Sequence, residues 1–593
     1  MKPLYIFLLL MTIGFGCTKN FNSLNTDPTQ FSAVAPEASI LAAVKNLNAQ
    51  MANYNTTKYW DLGHLLCQQA NRYDVTDQGL WQTMYQGVLG NLKQVISNYG
   101  KDSAYNNRVQ VARILQAYTY SIMAGNFGPV PLYQANDPAY LSSIKFDSED
   151  TVYTFVMNTL KEAAAKINVN GDKLTYDPLY NGNLQSWVKF ANTMRLKIGL
   201  RIQRNLPDLA GSAIRELMTN ESMLISTEGE SAKMAFENVN GNENPYYIKY
   251  IKSNQYYPYA PGASNQAPKL SEFLMTFFRS YNDPRMMVYY DSVPLAQRML
   301  LTDTLTSISD DSLRIVTYPI PYLGLPKSAT KLAGWTSLAG LPDVVGSNNI
   351  NAYSNANPVI YQVGRPFVML SYAETLFLKA EAVQSGYGGG QSADQYYYAG
   401  IDANFAFWNI SSTLRDAYKN TPGIKWGTAG KGFNNYLSLV NTDISADGNT
   451  KIWIQRWLNY FPDGGFDCWT LERQTRVFNL PPHTNPGGNA SYAANPTFAD
   501  VPGRASYPMS VINLNQVGYK GALLALGTTR GDDYDIYQQL RFAKPYTVPQ
   551  WDQVNAGYDI SFIQKWYGTT IEELKKAAAT GGFKYTLVQT YHP

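Results

Sequence analysis

The spacing of hydrophobic residues predicts helices over most of the chain up to about residue 220. Apolar side chains such as Met84, Val88 and Leu92 recur every three or four residues, which gathers them on one face of a helix. The pattern predicts helices over residues 37–53, 59–70, 80–99, 105–125, 148–167, 184–205 and 208–219. Ser148 and Asp208 are predicted as the N-caps of the fifth and the last of these helices.

The pattern changes between about residues 225 and 365. Helical periodicity fades there, Tyr, Asn, Gly and Pro become frequent, and only residues 269–281 are predicted to be helical. Long segments without regular elements usually carry function in a folded domain. Helices are predicted again over 367–384, 393–418, 451–460 and 571–579.

Short links between successive helices favour antiparallel pairs, as in helical repeat proteins. No fixed repeat period is evident along the chain, so any repeats are degenerate. The expected fold class is therefore mainly α, a degenerate array of helical pairs with long loop-rich insertions. We expect one domain over residues 37–593, with its loop-rich insertion at about 225–365.

The N-terminus carries the features of a secretory signal. Lys2 precedes an almost wholly apolar run over residues 4–13, and the small residues Gly14 and Gly16 lead to Cys17. This order predicts a signal peptide over residues 1–16, and the run is too short to span a membrane as a helix. We expect lipid on Cys17 and a flexible polar tether over 17–36; the alternative is ordinary cleavage beside an incidental cysteine.

Composition excludes some classes of partner and site. The chain holds 48 basic and 45 acidic residues, a net charge of +3, and no long basic run, so no nucleic-acid partner is expected. Cys67 and Cys468 are expected to be buried, and the sequence leaves open whether they pair.

A catalytic or metal site was sought among three histidines and the acidic clusters. His64 and Cys67 lie three apart in a predicted helix, so a nucleophile pair is conceivable, although the apolar surroundings favour a core role. Glu374 and Glu381 share a helix face, but Lys379 between them indicates ion pairing rather than a glycosidase pair. The residues Asp532, Asp533 and Asp535 fit either a calcium site or, more simply, a solvated turn. We expect no enzymatic activity, no cofactor and no metal.

Aromatic residues are the compositional exception. They make up 13% of the chain, and 45 tyrosines outnumber 24 phenylalanines. Tyr joins an apolar ring to a polar tip, which suits half-wet ligand clefts. The candidate ligand-binding residues are Tyr73, Trp81, Tyr256, Tyr257, Tyr259 and Trp335. Packing beneath a long loop is the competing interpretation for each ring.

Motifs along the chain resemble those of one known family. They are the segment 21–28 after Cys17, the helix 81–96, the turn 126–132, Asp283-Pro284-Arg285, the stretch 372–382 followed by Tyr398, Gly400 and Ile401, the block 454–458 through Trp469 and Arg473, and 504–508. In this order they resemble the SusD/RagB nutrient-binding outer-membrane lipoproteins of Bacteroidota, in the second large branch of that family.

The resemblance implies a fold and a function. The fold is a core of degenerate tetratricopeptide-like helical pairs that carries loops. The function is non-catalytic capture of a glycan or other nutrient by a lipid-anchored protein at the outer membrane, which passes it to a TonB-dependent transporter of the SusC type. The resemblance implies display on the cell-surface face of the outer membrane, although Thr18, Lys19 and Asn20 follow Cys17 in place of the acidic residues often found there, which leaves the inner face open. The alternatives are a surface glycan-active enzyme and a helical scaffold lipoprotein that binds only protein.

Overall fold

The computed structural model describes most of the chain from residue 35 onward. The described ranges are 35–67, 78–140, 143–253, 267–292, 302–309, 312–319, 322, 324, 354–432, 434–435, 440–478, 502–527, 538–545 and 586–589. The signal peptide, Cys17, most of the tether, the Asp532 cluster and the helix expected at 571–579 lie outside these ranges.

Helices dominate the described residues, which confirms the predicted fold class. The first group is α1 Pro36–Tyr54, α2 Trp60–Leu62, α3 Gln78–Gln82, α4 Gly90–Tyr99, α5 Asn106–Phe127, α6 Glu149–Lys166, α7 Leu184–Ile202 and α8 Pro207–Thr219. The second group is α9 Glu272–Ser280, α10 Arg285–Tyr289, α11 Tyr372–Gln384, α12 Ala393–Phe407, α13 Ser412–Lys419, α14 Gly448–Asn459, α15 Gly465–Thr475, α16 Met509–Leu514 and α17 Gln516–Leu526. Wider π-helical turns cover Asn55–Tyr59, Thr83–Leu89 and Tyr247–Lys252. None of the described helices has the length and apolar composition that a membrane span requires.

Polar side chains fix where several helices begin. Ser148 accepts a hydrogen bond from the Thr151 backbone N–H, which confirms it as the N-cap of α6. Asp208 does not cap α8, because the helix already begins at Pro207 and Asp208 lies in its first turn. Proline is favoured at a first helical position, since its missing N–H has no partner there in any case.

The helix predicted over 59–70 is wrong beyond Leu62. Helix α15 packs so closely that a Cβ on Gly63 would lie 2.6 Å from the Cys468 Cβ. His64 then has a φ of 54°, which ends the helix, and the two-residue strand β1 (Leu66–Cys67) follows. His64 and Cys67 therefore do not share a helix face, and Cys468 is a buried free thiol.

Two predicted helices begin with a strand instead. Strand β6 (Phe367–Leu370) pairs with β2 (Ala232–Met234), and Ser371 then caps α11. Strand β3 (Lys269–Leu270) likewise precedes Ser271, which caps α9. A short apolar run such as Phe367–Leu370 fits a buried strand as well as a helix, so periodicity does not separate the two.

The helix predicted over 393–418 is divided into α12 and α13. Asn409 has a φ of 55°, which lets the chain turn between the two helices, and Ser411 caps the second one. Asn tolerates this backbone region better than most residues.

The segment expected to be loop-rich also contains strands. Strands β4 (Thr302–Ser309) and β5 (Ser312–Pro319) pair antiparallel. Thr302 lies opposite Pro319 at one end and Ser309 lies opposite Ser312 at the other. With β7 (Asn434–Asn435), β8 (Val440–Asn441) and β9 (Thr586–Gln589) they form a five-stranded sheet of order β8-β7-β4-β5-β9. The β-branched residues of β4 and β5 suit strands, so the loop-rich segment also holds regular strands that weak helical periodicity did not reveal.

Successive helices pack as neighbours in space. Helix α5 lies against α6, α6 against α7, α7 against α8, and α11 against α12. One hydrophobic core runs through these pairs, with Trp60, Trp187, Trp457 and Trp469 among its fully buried side chains. This is the helical-pair arrangement that the sequence predicted.

Charged groups lie inside this core as a connected set, here called the buried charge chain. Lys197 on α7 binds both Glu374 on α11 and Asp467 on α15, with its Nζ 2.9 Å from each carboxylate. Arg456 on α14 pairs with Glu381 on α11. Glu374 and Glu381 therefore join helices, as the ion-pairing interpretation expected, but their cations are Lys197 and Arg456, whereas Lys379 pairs with Glu221.

Two further side chains complete the buried charge chain. Tyr460 donates a hydrogen bond to Glu374 Oε1 at 2.8 Å and accepts one from Arg456 at 3.2 Å, which links the two ion pairs. Arg201 lies 3.5 Å from Asp467 Oδ1. The chain thus connects α7, α11, α14 and α15 through the apolar interior.

The Asp283-Pro284-Arg285 motif forms a second buried ionic centre. Arg285 Nη2 lies 2.6 Å from Asp283 Oδ2, and both side chains are fully buried. The guanidinium also donates to Tyr418, Asn404 and Gln455, which belong to three other helices or their ends. The motif therefore fixes α10 against α12, α13 and α14.

We predict that Arg285→Met destabilises the protein by about 3–5 kcal/mol, because it leaves Asp283 buried without a cation. The matched control is Arg415→Met, which removes a more exposed ion pair with Asp402 and Asp416 and should change stability by less than about 1 kcal/mol. Urea unfolding followed by circular dichroism measures both. Equal effects of the two substitutions would contradict the assigned role of Arg285.

Candidate functional site

Several distant parts of the chain meet in one small antiparallel sheet. Strands β1 and β3 pair with Leu66 opposite Leu270 and Cys67 opposite Lys269. A third segment joins them, because Asn355 bridges Lys269 and the Leu270 N–H donates to the Ser354 carbonyl at 2.8 Å.

A fourth segment, residues 290–292, pairs with the segment that contains Asn355. Tyr290 bridges Ala356, and the Asp291 N–H donates to the Asn355 carbonyl at 2.9 Å. We call this structure the loop platform; it consists of β1, β3 and residues 290–292 and 354–357.

The loop platform is where four long connections begin or end. The chain leaves it after Cys67 for 68–77 and after Ser292 for 293–301, and it enters at Ala267 from 254–266 and at Ser354 from 325–353. Candidate residues Tyr73, Tyr256, Tyr257, Tyr259 and Trp335 belong to three of these connections and lie outside the described residues. Their flanking residues nevertheless lie together, although they are up to almost 290 positions apart in the sequence.

Buried contacts hold the platform against the helical core. Leu66 and Leu270 are fully buried in that core. The Tyr290 hydroxyl donates to the Leu65 carbonyl at 2.6 Å, and the Ser271 hydroxyl donates to the His64 carbonyl at 2.7 Å. The platform is thus a fixed base, as a binding site on loops requires.

Lys269 gives the platform an unusual chemical group. Side chains alternate across a strand, so Lys269 lies on the face opposite Leu270. It is fully buried, and its Nζ donates to Asn355 Oδ1. No carboxylate in the described part of the chain forms an ion pair with it, and burial lowers the pKa of this amine to about 7.

Sequence reasoning missed Lys269 and Asn355. Lys269 was read as the first residue of a helix, whereas the helix begins after Ser271. The available signal was the Ser271 cap itself, since a serine three residues before Leu274 marks a helix start and places Lys269 outside it.

Trp81 lies in an aromatic cluster on the helical scaffold. Its ring centroid is 4.9 Å from that of Tyr85 and 5.1 Å from that of Phe127, and Phe146 and Tyr507 each lie at 5.8 Å. The side chain is half-buried against the core. Packing accounts for this position, and ligand contact by Trp81 stays a prediction.

A separate open cleft lies between β6 and α11, α12, α14 and α15. Its volume is about 490 Å³, including the space that solvent fills, and its walls include Phe407, Trp408 and Asn459. Glu374 and Asp467 also line it, but both bind Lys197, which ties these carboxylates to helix packing. Within the described ranges, no group of three or more His, Cys, Asp or Glu side chains could hold a metal ion.

The architecture places the chain among helical-pair proteins that carry long loops, and sequence comparison gives the family. A family model described as "Starch-binding associating with outer membrane" matches residues 28–300 and 327–508, most of the chain. The chain therefore belongs to the SusD-like family, which confirms the resemblance seen in the motifs. No match was found among curated proteins.

Solved structures show the same fold. A chitin-binding SusD homolog from Flavobacterium johnsoniae is 18% identical with a TM-score of 0.65, and the match covers 86% of this chain and 99% of that one. A SusD-like protein of Bacteroidetes is 20% identical with a TM-score of 0.65, with 86% and 100% covered. A SusD homolog from Bacteroides vulgatus is 18% identical with a TM-score of 0.63, with 85% and 98% covered.

We predict that Lys269→Met removes part of the pH dependence of stability. The Lys269 amine has a pKa of about 7 in the folded state and 10.5 ordinarily. Between these two pH values the amine is protonated in the unfolded chain but not in the folded one, so the free energy of unfolding rises with pH. The parent should therefore gain about 1–3 kcal/mol more than Lys269→Met between pH 6 and pH 9.

Urea unfolding at each pH measures this difference. Lys101→Met removes an exposed lysine instead and should behave like the parent. If Lys269→Met gains as much stability as the parent over this range, the amine is not held in the environment described here.

Proposed function

We propose that the chain is a non-catalytic lipoprotein that binds a glycan or other nutrient at the outer membrane. The bound nutrient then passes to a TonB-dependent transporter of the SusC type. Family membership supports both the location and the carbohydrate ligand, because the matching family is described as starch-binding and two of the similar structures are named as chitin-binding. We further propose that lipid on Cys17 holds the chain and that residues 37–593 act as one domain.

The loop platform is the observation that carries the proposed ligand site. Three connections that hold five candidate aromatic residues begin or end at this sheet. Aromatic faces stack on the apolar C–H faces of sugars, and amide groups bind the hydroxyl rim. A fixed platform below such loops favours binding, because less order has to be gained when the ligand arrives.

We predict that the ligand contacts the aromatic connections rather than the helical scaffold. A form lacking residues 1–17 is screened against glycans, and the best ligand is titrated by calorimetry, with dissociation constants expected on the order of micromolar to millimolar. Tyr257→Ala and Trp335→Ala should each weaken binding by about 1–3 kcal/mol, by analogy with bases stacked on aromatic platforms.

Tyr176→Ala is the matched control, because Tyr176 is a 70% exposed ring on the scaffold. Trp81→Ala is measured beside this control, and we expect it to lower the stability of the protein because the Trp81 ring packs in the aromatic cluster. Folded Tyr257 and Trp335 variants that bind as tightly as the Tyr176 control would show that the site lies elsewhere.

We predict that Cys17→Ala releases the protein from the membrane fraction. The signal pattern that ends at Gly16 motivates this expectation, and the two chains of a diacyl anchor are enough for stable attachment. Fractionation of cells that express the parent or the variant tests it, with Cys468→Ala as a cysteine control. A Cys17→Ala protein that stays in the pellet like the parent contradicts lipid anchoring.

A further inference from the structure

Helices α16 and α17 carry the three most exposed large hydrophobic side chains among the described residues. Leu524, Leu514 and Val517 are 84%, 79% and 76% exposed, the highest values among the large hydrophobic residues that the structure describes. Met509 on the same pair is 51% exposed. We call these four residues the α16–α17 surface.

Two of these four residues, Val517 and Leu524, share one face of α17. Val517, Lys520, Gly521 and Leu524 are exposed, whereas Gly518, Ala522 and Leu523 are buried. Residues three or four apart lie on the same side of a helix, so the exposed positions form a continuous strip. A Cβ on Gly521 would meet nothing within 4 Å, so the centre of the strip is open.

The surface is presented rigidly. A Cβ on Gly518 would lie 2.3 Å from the Ile144 carbonyl oxygen, so α17 sits directly on the backbone there. Asn515 between the two helices donates to the same carbonyl at 2.6 Å, and the Tyr519 ring packs edge-on against Tyr507. The apolar residues thus point outward on helices that are held from beneath, as in a preformed interface.

The charges on and beside α16 and α17 indicate what kind of surface the partner presents. Between Met509 and Gly527 the sequence contains one charged residue, Lys520, and no carboxylate. Lys145, next to Ile144, is also exposed. The complementary surface is therefore apolar and carries at least one acidic group.

The same composition argues against a lipid surface. Helices that lie in a membrane interface are typically rich in Lys and Arg on the polar side and carry Trp or Phe on the other. Helices α16 and α17 together carry one lysine, Lys520, and no exposed Trp or Phe. Patches of contiguous exposed apolar residues otherwise mark contacts between proteins.

We propose that the α16–α17 surface is where the chain docks onto its protein partner, an apolar, acid-bearing face of an outer-membrane protein. This rests on the proposed function, in which the partner is the transporter that receives the nutrient. Tyr507, which immediately precedes Pro508 and α16, packs on Trp81 in the helix that follows connection 68–77. The docked partner would therefore lie near α3, the helix that follows connection 68–77.

In-cell photocrosslinking of the full chain tests the proposal. A photoreactive residue is placed at Leu514 or Leu524, and in the control at Tyr176, which is 70% exposed. This control position lies near the opposite end of α5 from Tyr507. Thr175, which precedes Tyr176, contacts Glu37, and Glu37 pairs with Arg108 at the start of α5, whereas Tyr507 contacts the end of α5. Crosslinks from 514 and 524 to one outer-membrane protein, without crosslinks from 176, are expected.

Co-purification from native membranes gives the quantitative readout. The double variant that combines Leu514→Glu and Leu524→Glu should lower recovery of the partner at least tenfold, because substitutions at the centre of an interface have large effects on binding. Lys520→Glu should lower recovery and Lys520→Arg should preserve it. Leu414→Glu, at a 43% exposed leucine on α13, is the control and should have no effect. An unchanged melting temperature of each variant confirms that folding is intact.

The outcomes separate this inference from the proposed function. A complex that forms equally well with the double variant, or that crosslinks from 176 alone, overturns the docking surface and leaves the proposed function standing. Flotation of the Cys17→Ala form with anionic phospholipid vesicles, lost in the double variant, would assign the surface to lipid and overturn the docking proposal. Absence of any complex with the parent overturns both the transporter partnership and its docking surface.

Discussion

The buried charge chain is the constraint on which the helical scaffold depends. Lys197 and Arg201 face Glu374 and Asp467, and Arg456 pairs with Glu381, in the helical core and at the edge of the open cleft. An ion taken out of water loses several kcal/mol of solvation, which only well-placed partners restore. Because those partners are spread over α7, α11, α14 and α15, these ion pairs form together in only one relative placement of the four helices. Hydrophobic packing alone is less selective, since it is not directional.

The need to pair every buried charge also bears on why the candidate ligand-binding residues belong to the connections and not to the helices. Helix side chains such as Glu374, Glu381 and Arg285 are occupied in holding helices together. The loop platform joins the scaffold through main-chain pairing and buried hydroxyls instead. Connections that begin and end there can differ in side chains without disturbing the buried charges.

Sequence periodicity predicted the scaffold well because most of its helices have one apolar face and a local start signal. Ser148 shows this, since its side chain caps α6 as its position suggested. The errors arose where contacts distant in sequence decide the local structure. Gly63 follows α2 at a point where Cys468 leaves no room for a Cβ, and residues 367–370 form a strand because β2 lies alongside.

The candidate site was predictable only in part, for a related physical reason. Tyr-rich connections could be recognised from composition, but their common base depends on pairings such as Cys67–Lys269 and Lys269–Asn355. No local pattern carries information about which two-residue strands pair across some 200 positions. Lys269 was missed for this reason, because its burial and low pKa arise only when the platform forms.

Tether length bears on how such a protein is oriented at a membrane. If lipid on Cys17 anchors the chain, the 18 residues before Pro36 can span at most about 60–65 Å when extended. Helix α5, which runs from the Arg108–Glu37 pair to the Tyr507 contact, has 22 residues and is about 33 Å long. A tether whose extended reach exceeds this distance would let either end of α5 face the membrane. Orientation must then come from a specific contact rather than from the anchor, and an exposed, rigidly held apolar surface such as that of α16 and α17 can supply it.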